Sequence, residues 1–315
     1  MTSKQAPLPS GFGAKSTASE VLGNRRLDGV LAIVTGGYAG VGLETTRVLA
    51  GAGATVIVPA RTPDKARTAL AGLERVELEA LDLADPKSVD AFAARFLATK
   101  RALPLLINNA GIMATPLTRD ARGFEAQLAT NHIGHFQLTL RLWPALVQAH
   151  GARVIELTSA GHRRAGFDFE DPQFERREYD KWVAYGQSKT ANALFALELD
   201  RRGEAHGVRA FSVHPGAIAT DLMRHMPEEE QRAALDRYHY LMKNVEQGAA
   251  TSVWCATSPE LAGMGGVYCE NADIAHETPA DSEDVTGVRP WATDPQAAEK
   301  LWALSEQWTG LKLEA

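Results

Sequence analysis

Cysteine is scarce in this chain of 315 residues, which contains only Cys255 and Cys269. Neither lies in a Cys-x-x-Cys or histidine-rich segment, so we expect neither a zinc site nor a disulfide framework. Both thiols are expected to be buried and reduced. Lysine and arginine (33 residues) are outnumbered by aspartate and glutamate (39 residues). The resulting formal net charge of −6 predicts that nucleic acid is not a partner.

Long apolar runs are missing too. No stretch approaches the roughly 18 apolar residues of a membrane helix, and residues 1–26 lack the apolar run of a secretory signal. We therefore expect a cytoplasmic protein without a membrane anchor. Apolar residues (45%) and charged residues (23%) stand at levels typical of a folded globular protein. Residues 1–27 are predicted to form an N-terminal extension, either loose or laid over the domain.

What the chain does contain is a regular alternation of short apolar runs with segments of helical spacing. Buried strands alternating with helices indicate βαβ units and a parallel sheet covered on both faces. We predict an α/β fold, a single doubly wound parallel sheet (the Rossmann fold) of about seven strands, forming one domain over residues 28–315. The predicted strands are 30–35, 55–58, 76–81, 105–107, 154–158, 208–213 and 266–270; the predicted helices are 42–52, 63–73, 86–99, 124–149, 185–201 and 297–307.

Two long segments interrupt this alternation. Residues 162–180 form an insert. Its arginines, Arg163 and Arg177 among them, are expected on a solvated surface. Residues 217–243 are predicted to be a substrate lid, since long segments between elements are commonly lids or binding loops. Leu222, Met223 and Met226 indicate that this lid is apolar, although a packed surface helix would give the same pattern.

A glycine-rich turn follows the first predicted strand. Residues 35–42 read Thr-Gly-Gly-Tyr-Ala-Gly-Val-Gly, and a helix begins at once. Glycines at such a turn let the backbone approach a pyrophosphate, whose charge is met by the helix N-terminus. Turns also use glycine for steric reasons alone. The position between strand and helix at the start of a βαβ repeat favours a dinucleotide.

The glycine spacing T-G-x-x-x-G-x-G and the motifs after it resemble the short-chain dehydrogenase/reductase family over about residues 28–270. The later motifs are Asn-Asn-Ala-Gly at 108–111 with Asn131 in the next helix, Ser159 after the fifth strand, Tyr-Gly-Gln-Ser-Lys at 185–189, and His-Pro-Gly at 214–216. The resemblance implies an oxidoreductase that transfers a hydride between a nicotinamide cofactor and a carbonyl/alcohol pair.

Tyr185 and Lys189 are four residues apart, so on a helix they share a face. A free tyrosine has a pKa near ~10, and a nearby ammonium favours the phenolate, so we expect Lys189 to bring the tyrosine into acid–base use. An isolated pair of this kind is more often a core tyrosine beside a surface lysine; Asn131 and Ser159 favour the catalytic interpretation. The family implies that Ser159 bonds the substrate oxygen, that Lys189 also holds the nicotinamide ribose and that Asn131 orders a relay water.

The same resemblance implies a set of cofactor-binding residues spread over the carboxyl ends of the strands. Tyr38 lies within the glycine turn, and Asp82 corresponds to a family position that contacts adenine. The full predicted set is Gly36, Tyr38, Gly40, Val41, Gly42, Arg61, Asp82, Leu83, Asn109, Ala110, Gly111, Tyr185, Lys189, Pro215, Gly216, Ile218 and Thr220.

The end of the second strand predicts the choice of cofactor. Members that prefer NAD carry an aspartate where this chain has Ala60, because an acidic residue there bonds the ribose 2′-hydroxyl. Arg61 follows and can pair with a 2′-phosphate. We therefore expect NADP(H), with NAD(H) as the alternative. The competing interpretation is that Arg61 forms a surface ion pair with Asp64.

Other residues are expected to have structural roles. His132 and His135 lack a carboxylate at metal-ligand spacing, so no metal site is predicted. Ser159 lacks the G-x-S-x-G elbow of a serine hydrolase, and His214 is expected to be structural.

The long interval between Ser159 and Tyr185 is similar to that of the retinol-dehydrogenase-like branch. Members of that branch often have a membrane anchor, whereas none is predicted in this chain. We therefore expect a bulky hydrophobic alcohol, ketone or aldehyde as substrate rather than a retinoid. Residues 112–115, 160–163 and 217–226 are expected to line the pocket. A non-catalytic NADP(H)-sensing regulator or scaffold is the alternative function, and a homo-oligomer is left open.

Overall fold

Eight strands form one twisted sheet in the computed structural model, which describes residues 5–313. Its strand order is β3-β2-β1-β4-β5-β6-β7-β8. The first seven strands run parallel, and the two-residue β8 pairs antiparallel with β7. The doubly wound fold and the seven predicted strands are confirmed, while β8 is an addition that periodicity is too weak to detect in two residues. The strands are β1 Leu31–Val34, β2 Thr55–Ala60, β3 Val76–Ala80, β4 Leu105–Asn108, β5 Ala152–Leu157, β6 Val208–His214, β7 Val267–Glu270 and β8 Asp273–Ile274.

Helices cover both faces of the sheet, as the apolar strands require. One face packs against α1, α2, α3 and α10, and the other against α4, α6, α7, α8 and α11. The helices are α1 Ala18–Leu22, α2 Gly40–Gly51, α3 Pro63–Ala69, α4 Pro86–Ala98, α5 Ala126–Leu128, α6 Gly134–Arg141, α7 Trp143–Gln148, α8 Lys181–Gly203, α9 Glu228–Tyr238, α10 Val245–Thr257 and α11 Pro295–Thr309.

Two predicted helices differ from the structure. The single helix expected over 124–149 is divided into α5, a π-helical turn at Ala129–Ile133, α6 and α7. The last break precedes Pro144, which has no N–H and cannot continue the ladder of a preceding helix. α8 begins four residues before the predicted start, because the Asp180 carboxylate accepts hydrogen bonds from the main-chain N–H groups of Trp182 and Val183.

The described part of the N-terminal extension lies over the domain; residues 1–4 of the predicted extension fall outside the described residues. The buried Gln5 amide donates to the carbonyl oxygens of Tyr268 (2.8 Å) and Ala275 (2.6 Å). α1 begins at a capping box formed by Thr17 and Glu20 and packs against α10. The sheet order reverses between β1 and β4, and this switch point opens a crevice at the carboxyl ends of the strands.

Candidate active site

The turn between β1 and α2 leaves no room for side chains at its glycines. A Cβ on Gly42 would lie 2.4 Å from Asn109 Nδ2 and 2.5 Å from the Gly36 carbonyl oxygen. Gly36 has a φ of +64°, which favours glycine, and its Cβ would lie 3.1 Å from the Ala110 Cα. Within residues 5–313 no side chain caps the N-terminus of α2 at Ala39. Its first N–H groups are therefore free to meet an anion.

Thr35 ties this turn to the loop after β4. Its hydroxyl oxygen accepts hydrogen bonds from the main-chain N–H groups of Asn109 (2.9 Å) and Ala110 (3.0 Å), and the Asn109 amide donates back to the Thr35 carbonyl oxygen (2.8 Å). The turn at 36–42, which contains five predicted cofactor residues, and the predicted cofactor residues 109–111 therefore lie side by side in the crevice. Sequence reasoning did not single out Thr35.

The structure brings the four predicted catalytic residues together. Tyr185 and Lys189 lie on α8, with the Lys189 ammonium 5.9 Å from the centre of the Tyr185 ring. Ser159, just after β5, lies close to the tyrosine, since a Cβ on Gly161 would be 2.8 Å from Tyr185 Cε1 and 3.5 Å from Ser159 Oγ. The Asn131 amide donates to Ser188 Oγ (3.0 Å) on α8. Gly111 lies beside this group, since a Cβ there would be 3.2 Å from Asn131 Oδ1 and 3.7 Å from Lys189 Nζ.

Burial dominates the protonation of this pair. It raises the pKa of Tyr185 to about 12, and the Ser159 side chain only partly opposes it. Burial also lowers the pKa of Lys189 to about 8, against the opposing charge of Glu156. The expectation that Lys189 lowers the pKa of Tyr185 is wrong for this structure, because burial outweighs the other influences on the phenol.

Asn131 lies within the π-helical turn, a distortion that is frequent at functional sites. Its side-chain oxygen accepts from the main-chain N–H of Ile112 (2.8 Å), and its amide also donates to the Ile112 carbonyl oxygen (3.0 Å). The main-chain oxygen of Asn131 accepts from His135 Nδ1 (2.9 Å). Asn131 therefore fixes the loop at 111–112 against α8.

The adenosine side of the crevice shows Arg61 exposed at the end of β2, next to the buried Ala60. Asp64 pairs with Arg67 (2.7 Å) instead, and Arg61 makes no ion pair within the described chain. The competing Arg61–Asp64 pair is thus not formed. Asp82 follows β3, and its carboxylate accepts from the main-chain N–H of Ala84 (3.0 Å).

The remaining predicted cofactor residues surround the same crevice. Tyr38 packs its half-buried ring on the core beside α2. Ile218 and Val41 both contact Gly248 of α10, where a Cβ would lie 3.0 Å from each side chain. Pro215 and Gly216 follow β6, and Gly216 has a φ of +110°. Leu83 is buried, and its carbonyl oxygen lies against Gly134 at the start of α6.

The predicted lid is anchored at its base. The main-chain N–H of Lys243 donates to the Ala217 carbonyl oxygen (2.9 Å), and a Cβ on Gly40 would lie 3.1 Å from the methyl group of Thr220. α9, within this segment, buries none of its own residues. Its Glu230 accepts from Lys181 Nζ (2.5 Å) and Trp182 Nε1 (2.8 Å) at the start of α8. Met226 is buried, while Leu222 and Met223 are half-buried.

A buried polar cluster, which sequence reasoning missed, lies behind Ser159. His162 Nδ1 is 2.7 Å from the Ser159 carbonyl oxygen and 3.3 Å from the Tyr268 hydroxyl. Arg163 pairs with Glu270 (3.1 Å), and only 12% of its side chain is exposed. Placing Arg163 on the solvated surface was wrong, because Glu270 lies more than 100 positions away and the pair forms only in the fold.

The two histidines near Asn131 have structural partners. His132 Nε2 lies 2.8 Å from Ser305 Oγ of α11, and His135 Nε2 lies 2.9 Å from Thr35 Oγ1. Burial lowers the pKa of each to about 3, so both are neutral. His214 Nδ1 accepts from the main-chain N–H of Ala160 (3.2 Å).

Residues 5–313 also bear on metal binding, surface cavities and membrane spans. They contain no group of three or more histidine, cysteine or acidic side chains able to hold a metal ion. A surface hollow of about 390 Å³ lies between α3 and β3, and no predicted site residue lines it. Within this same range, every helix is too short or too polar to cross a bilayer.

Comparison with known proteins agrees with this geometry. Residues 30–231 match the family described as short chain dehydrogenase. A probable oxidoreductase of Streptomyces antibioticus is 45% identical over 290 residues, covering 88% of this chain and 96% of the relative. Retinol dehydrogenase 12 of Homo sapiens is 36% identical over 298 residues, covering 92% of this chain and 90% of the relative. A solved structure of an uncharacterized Mycobacterium paratuberculosis protein has a TM-score of 0.75 at 32% identity, covering 96% of this chain and 100% of that one.

The fold and these comparisons thus define an oxidoreductase of a family that binds a nicotinamide cofactor. The chain belongs to the short-chain dehydrogenase/reductase family, and within it to the retinol-dehydrogenase-like branch.

Proposed function

We propose that the protein is an NADP(H)-dependent alcohol dehydrogenase or carbonyl reductase that acts on a hydrophobic alcohol, ketone or aldehyde. The observation that carries the proposal is the grouping of Tyr185, Ser159, Lys189 and Asn131 beside the glycine turn. A regulator that only sensed NADP(H) would have no use for this buried acid–base group, so the catalytic function is favoured over the non-catalytic one.

The crevice fits a dinucleotide. Gly36 and Gly42 have no room for a Cβ, and the uncapped start of α2 faces the same turn. The turn can therefore receive a pyrophosphate, with Asn109 and Ala110 directly beside it. When bound, the nicotinamide supplies or accepts the hydride. The other half of the reaction is a proton transfer, which this chain must provide.

Tyr185 is proposed as the proton donor in carbonyl reduction. A pKa of about 12 keeps the phenol protonated at neutral pH, which suits a group that gives its proton to the substrate oxygen. Ser159, which lies beside the same ring, is proposed to orient the substrate oxygen toward it. Lys189, charged below about pH 8, holds the ribose and returns a proton toward Tyr185. Asn131 keeps the loop at Gly111 in place and is proposed to order the relay water.

The preference for NADP(H) is proposed from Arg61. Its guanidinium is exposed at the adenosine end of the crevice and has no ion pair within residues 5–313. A 2′-phosphate would supply the missing partner. Ala60 provides no carboxylate to favour the 2′-hydroxyl of NAD(H).

The hydrophobic substrate class is proposed from apolar side chains in the segments expected to line the pocket. Ile112 and Met113 follow Gly111, and the predicted lid contains Leu222, Met223 and Met226. One relative acts, by its name, on retinol. We extend to this chain only the chemical class, a bulky apolar alcohol or carbonyl.

The test is the oxidation of NADPH, followed at its absorbance band, with a panel of aldehydes and ketones of increasing apolar size. NADPH oxidation that depends on an apolar carbonyl, with the Tyr185→Phe variant as the inactive control, is the expected result. Binding of NADPH without turnover of any carbonyl or alcohol in the panel would favour the sensing function instead.

A further inference from the structure

Glu156 is a charged residue at the centre of an apolar strand. It follows Val154 and Ile155 on β5 and is completely buried. Its side chain points to the face of the sheet that packs against α6 and α8, since Val154, two residues earlier, belongs to the core on that face. Asn108 of β4 and Ser212 of β6 are its neighbours in register.

The carboxylate has too few hydrogen bonds for its burial. Asn108 Nδ2 donates to Glu156 Oε2 (2.8 Å), whereas Oε1 has no hydrogen-bond partner among residues 5–313. The side-chain oxygens of Asn108 and Asn192 also lack partners in this range. A buried carboxylate costs much free energy unless a cation or several donors compensate it.

His135 does not provide that compensation. Its Nδ1 lies 3.7 Å from Glu156 Oε1, but the Nδ1 proton is donated to the main-chain oxygen of Asn131 (2.9 Å). The other nitrogen, Nε2, accepts from the Thr35 hydroxyl (2.9 Å), because the oxygen of that hydroxyl already accepts two main-chain N–H groups. The ring is therefore neutral with a fixed tautomer.

Lys189 is the cation that faces this cluster. Its Nζ donates to the carbonyl oxygen of Leu157 (2.8 Å), the residue after Glu156, and the Asn192 amide donates to the same oxygen (2.8 Å). Burial raises the pKa of Glu156 well above its usual value, and the Asn108 hydrogen bond and, after it, the Lys189 charge oppose this. The titratable groups facing Glu156 are thus Lys189 from α8 and His135 from α6, while β4 and β6 present the neutral Asn108 and Ser212.

We propose that Glu156 is a positioning residue that acts through Lys189: its carboxylate compensates the ammonium from inside the sheet and keeps it charged beside Tyr185. This inference rests on the proposed catalytic function of Lys189. Glu156 itself is completely buried within the sheet.

The charges of Glu156 and Lys189 determine the direction in which the pH profile of carbonyl reduction should shift. The negative charge of Glu156 raises the pKa of Lys189, and burial pulls it down to about 8. Glu156→Gln removes the charge and keeps the shape, so the pKa of Lys189 falls further. Carbonyl reduction, which needs the ammonium, should then decline at a lower pH than in the unmodified protein.

The first experiment measures kcat/KM for NADPH-dependent reduction against pH. We expect Glu156→Gln to move the alkaline decline down by at least about one pH unit and to lower kcat at neutral pH at least about tenfold. Glu156→Asp keeps the charge and should restore most of the profile. Glu198→Gln is the matched control, because Glu198 is also buried but bonds Arg201 and Arg202 at the far end of α8. Its profile should equal that of the unmodified protein.

The second experiment needs no turnover. Thermal unfolding of Glu156→Gln, Lys189→Met and the double variant reports whether the two charges compensate each other. Each single variant leaves one buried charge alone, so each should lower Tm, and the double variant should be more stable than the worse single variant. If Glu156→Gln does not fold, the double variant should restore folding.

Three results separate the inference from the proposed function. An unchanged pH profile in Glu156→Gln, or strictly additive losses of Tm, would overturn the function of Glu156 while leaving Tyr185 and Lys189 catalytic. Full activity of Lys189→Met would overturn the proposed function of Lys189 itself. A shifted profile together with non-additive Tm values would support both.

Discussion

Arg61 should decide which cofactor the protein prefers. It follows the last residue of β2, is exposed, and forms no ion pair within the described part of the chain. The perturbation we consider is Arg61→Asp, which replaces attraction for a 2′-phosphate by repulsion. We choose this single change because Ala60 is only 2% exposed, and a carboxylate at that position would itself be buried.

The expected magnitude comes from a single exposed charge-assisted pair. A hydrogen bond to a charged group contributes about 1.5–3 kcal/mol, and exposure to solvent reduces that value. We therefore expect NADP(H) to bind at least about tenfold tighter than NAD(H), which corresponds to about 1.4 kcal/mol. Arg61→Asp should abolish or reverse this preference. Because the pair is exposed, salt should weaken it.

Titration of both reduced cofactors by tryptophan fluorescence, at low and at high salt, measures this preference. Arg67→Asp is the matched control, since Arg67 is also exposed, on α3, but pairs with Asp64. Its effect on the ratio of the two affinities should be small. Equal affinities of the unmodified protein for the two cofactors, or a ratio unaffected by Arg61→Asp, would refute the reasoning.

Three further predictions concern the crevice and the catalytic pair. Gly42→Ala should weaken cofactor binding at least about tenfold and cost about 1–3 kcal/mol of stability, because its Cβ would meet the Gly36 backbone at 2.5 Å; Gly51→Ala, at the open end of α2, is the control, and calorimetry with cofactor titration compares them. Lys189→Ala should lower turnover and cofactor affinity together by at least about tenfold each, and a loss of turnover alone, seen in parallel kinetic and binding assays, would contradict its contact with the ribose. Alcohol oxidation needs the phenolate form of Tyr185, whose pKa is about 12, so kcat/KM for oxidation should rise with pH. The rise should end near pH 8, because Lys189, whose pKa is about 8, loses its charge above that pH. A flat profile from about pH 6 to 8 would speak against Tyr185 as the base.

The sheet could be predicted because most of its strands are short, apolar and buried on both faces; the edge strand β3, which buries none of its residues, is the exception. Apolar runs such as residues 105–107 and 208–213 are typical of the buried strands of a parallel sheet. The shared face of Tyr185 and Lys189 also follows from helical spacing alone, and α8 contains both. These features depend on local sequence, which explains why they were found.

Other features depend on contacts between distant segments. Arg163 finds Glu270 only after the chain has folded, so its burial could not be read locally. The pKa of Tyr185 rises to about 12 because of burial, which the spacing of two residues does not reveal. Glu156 did leave a local signal, a carboxylate inside the buried run Val-Ile-Glu-Leu at 154–157. Such a residue in a parallel strand indicates a paired or functional charge.

The central claim is that Tyr185 supplies the proton for hydride transfer, and a single-turnover measurement on Tyr185→Phe tests it most directly. The substitution removes one hydroxyl from a side chain that is 5% exposed, so the fold and the cofactor crevice should persist. With a carbonyl found in the substrate panel, the rate of NADPH oxidation should fall at least about a hundredfold, while NADPH affinity stays within about twofold. A single-turnover rate within a few-fold of that of the unmodified protein would contradict the account.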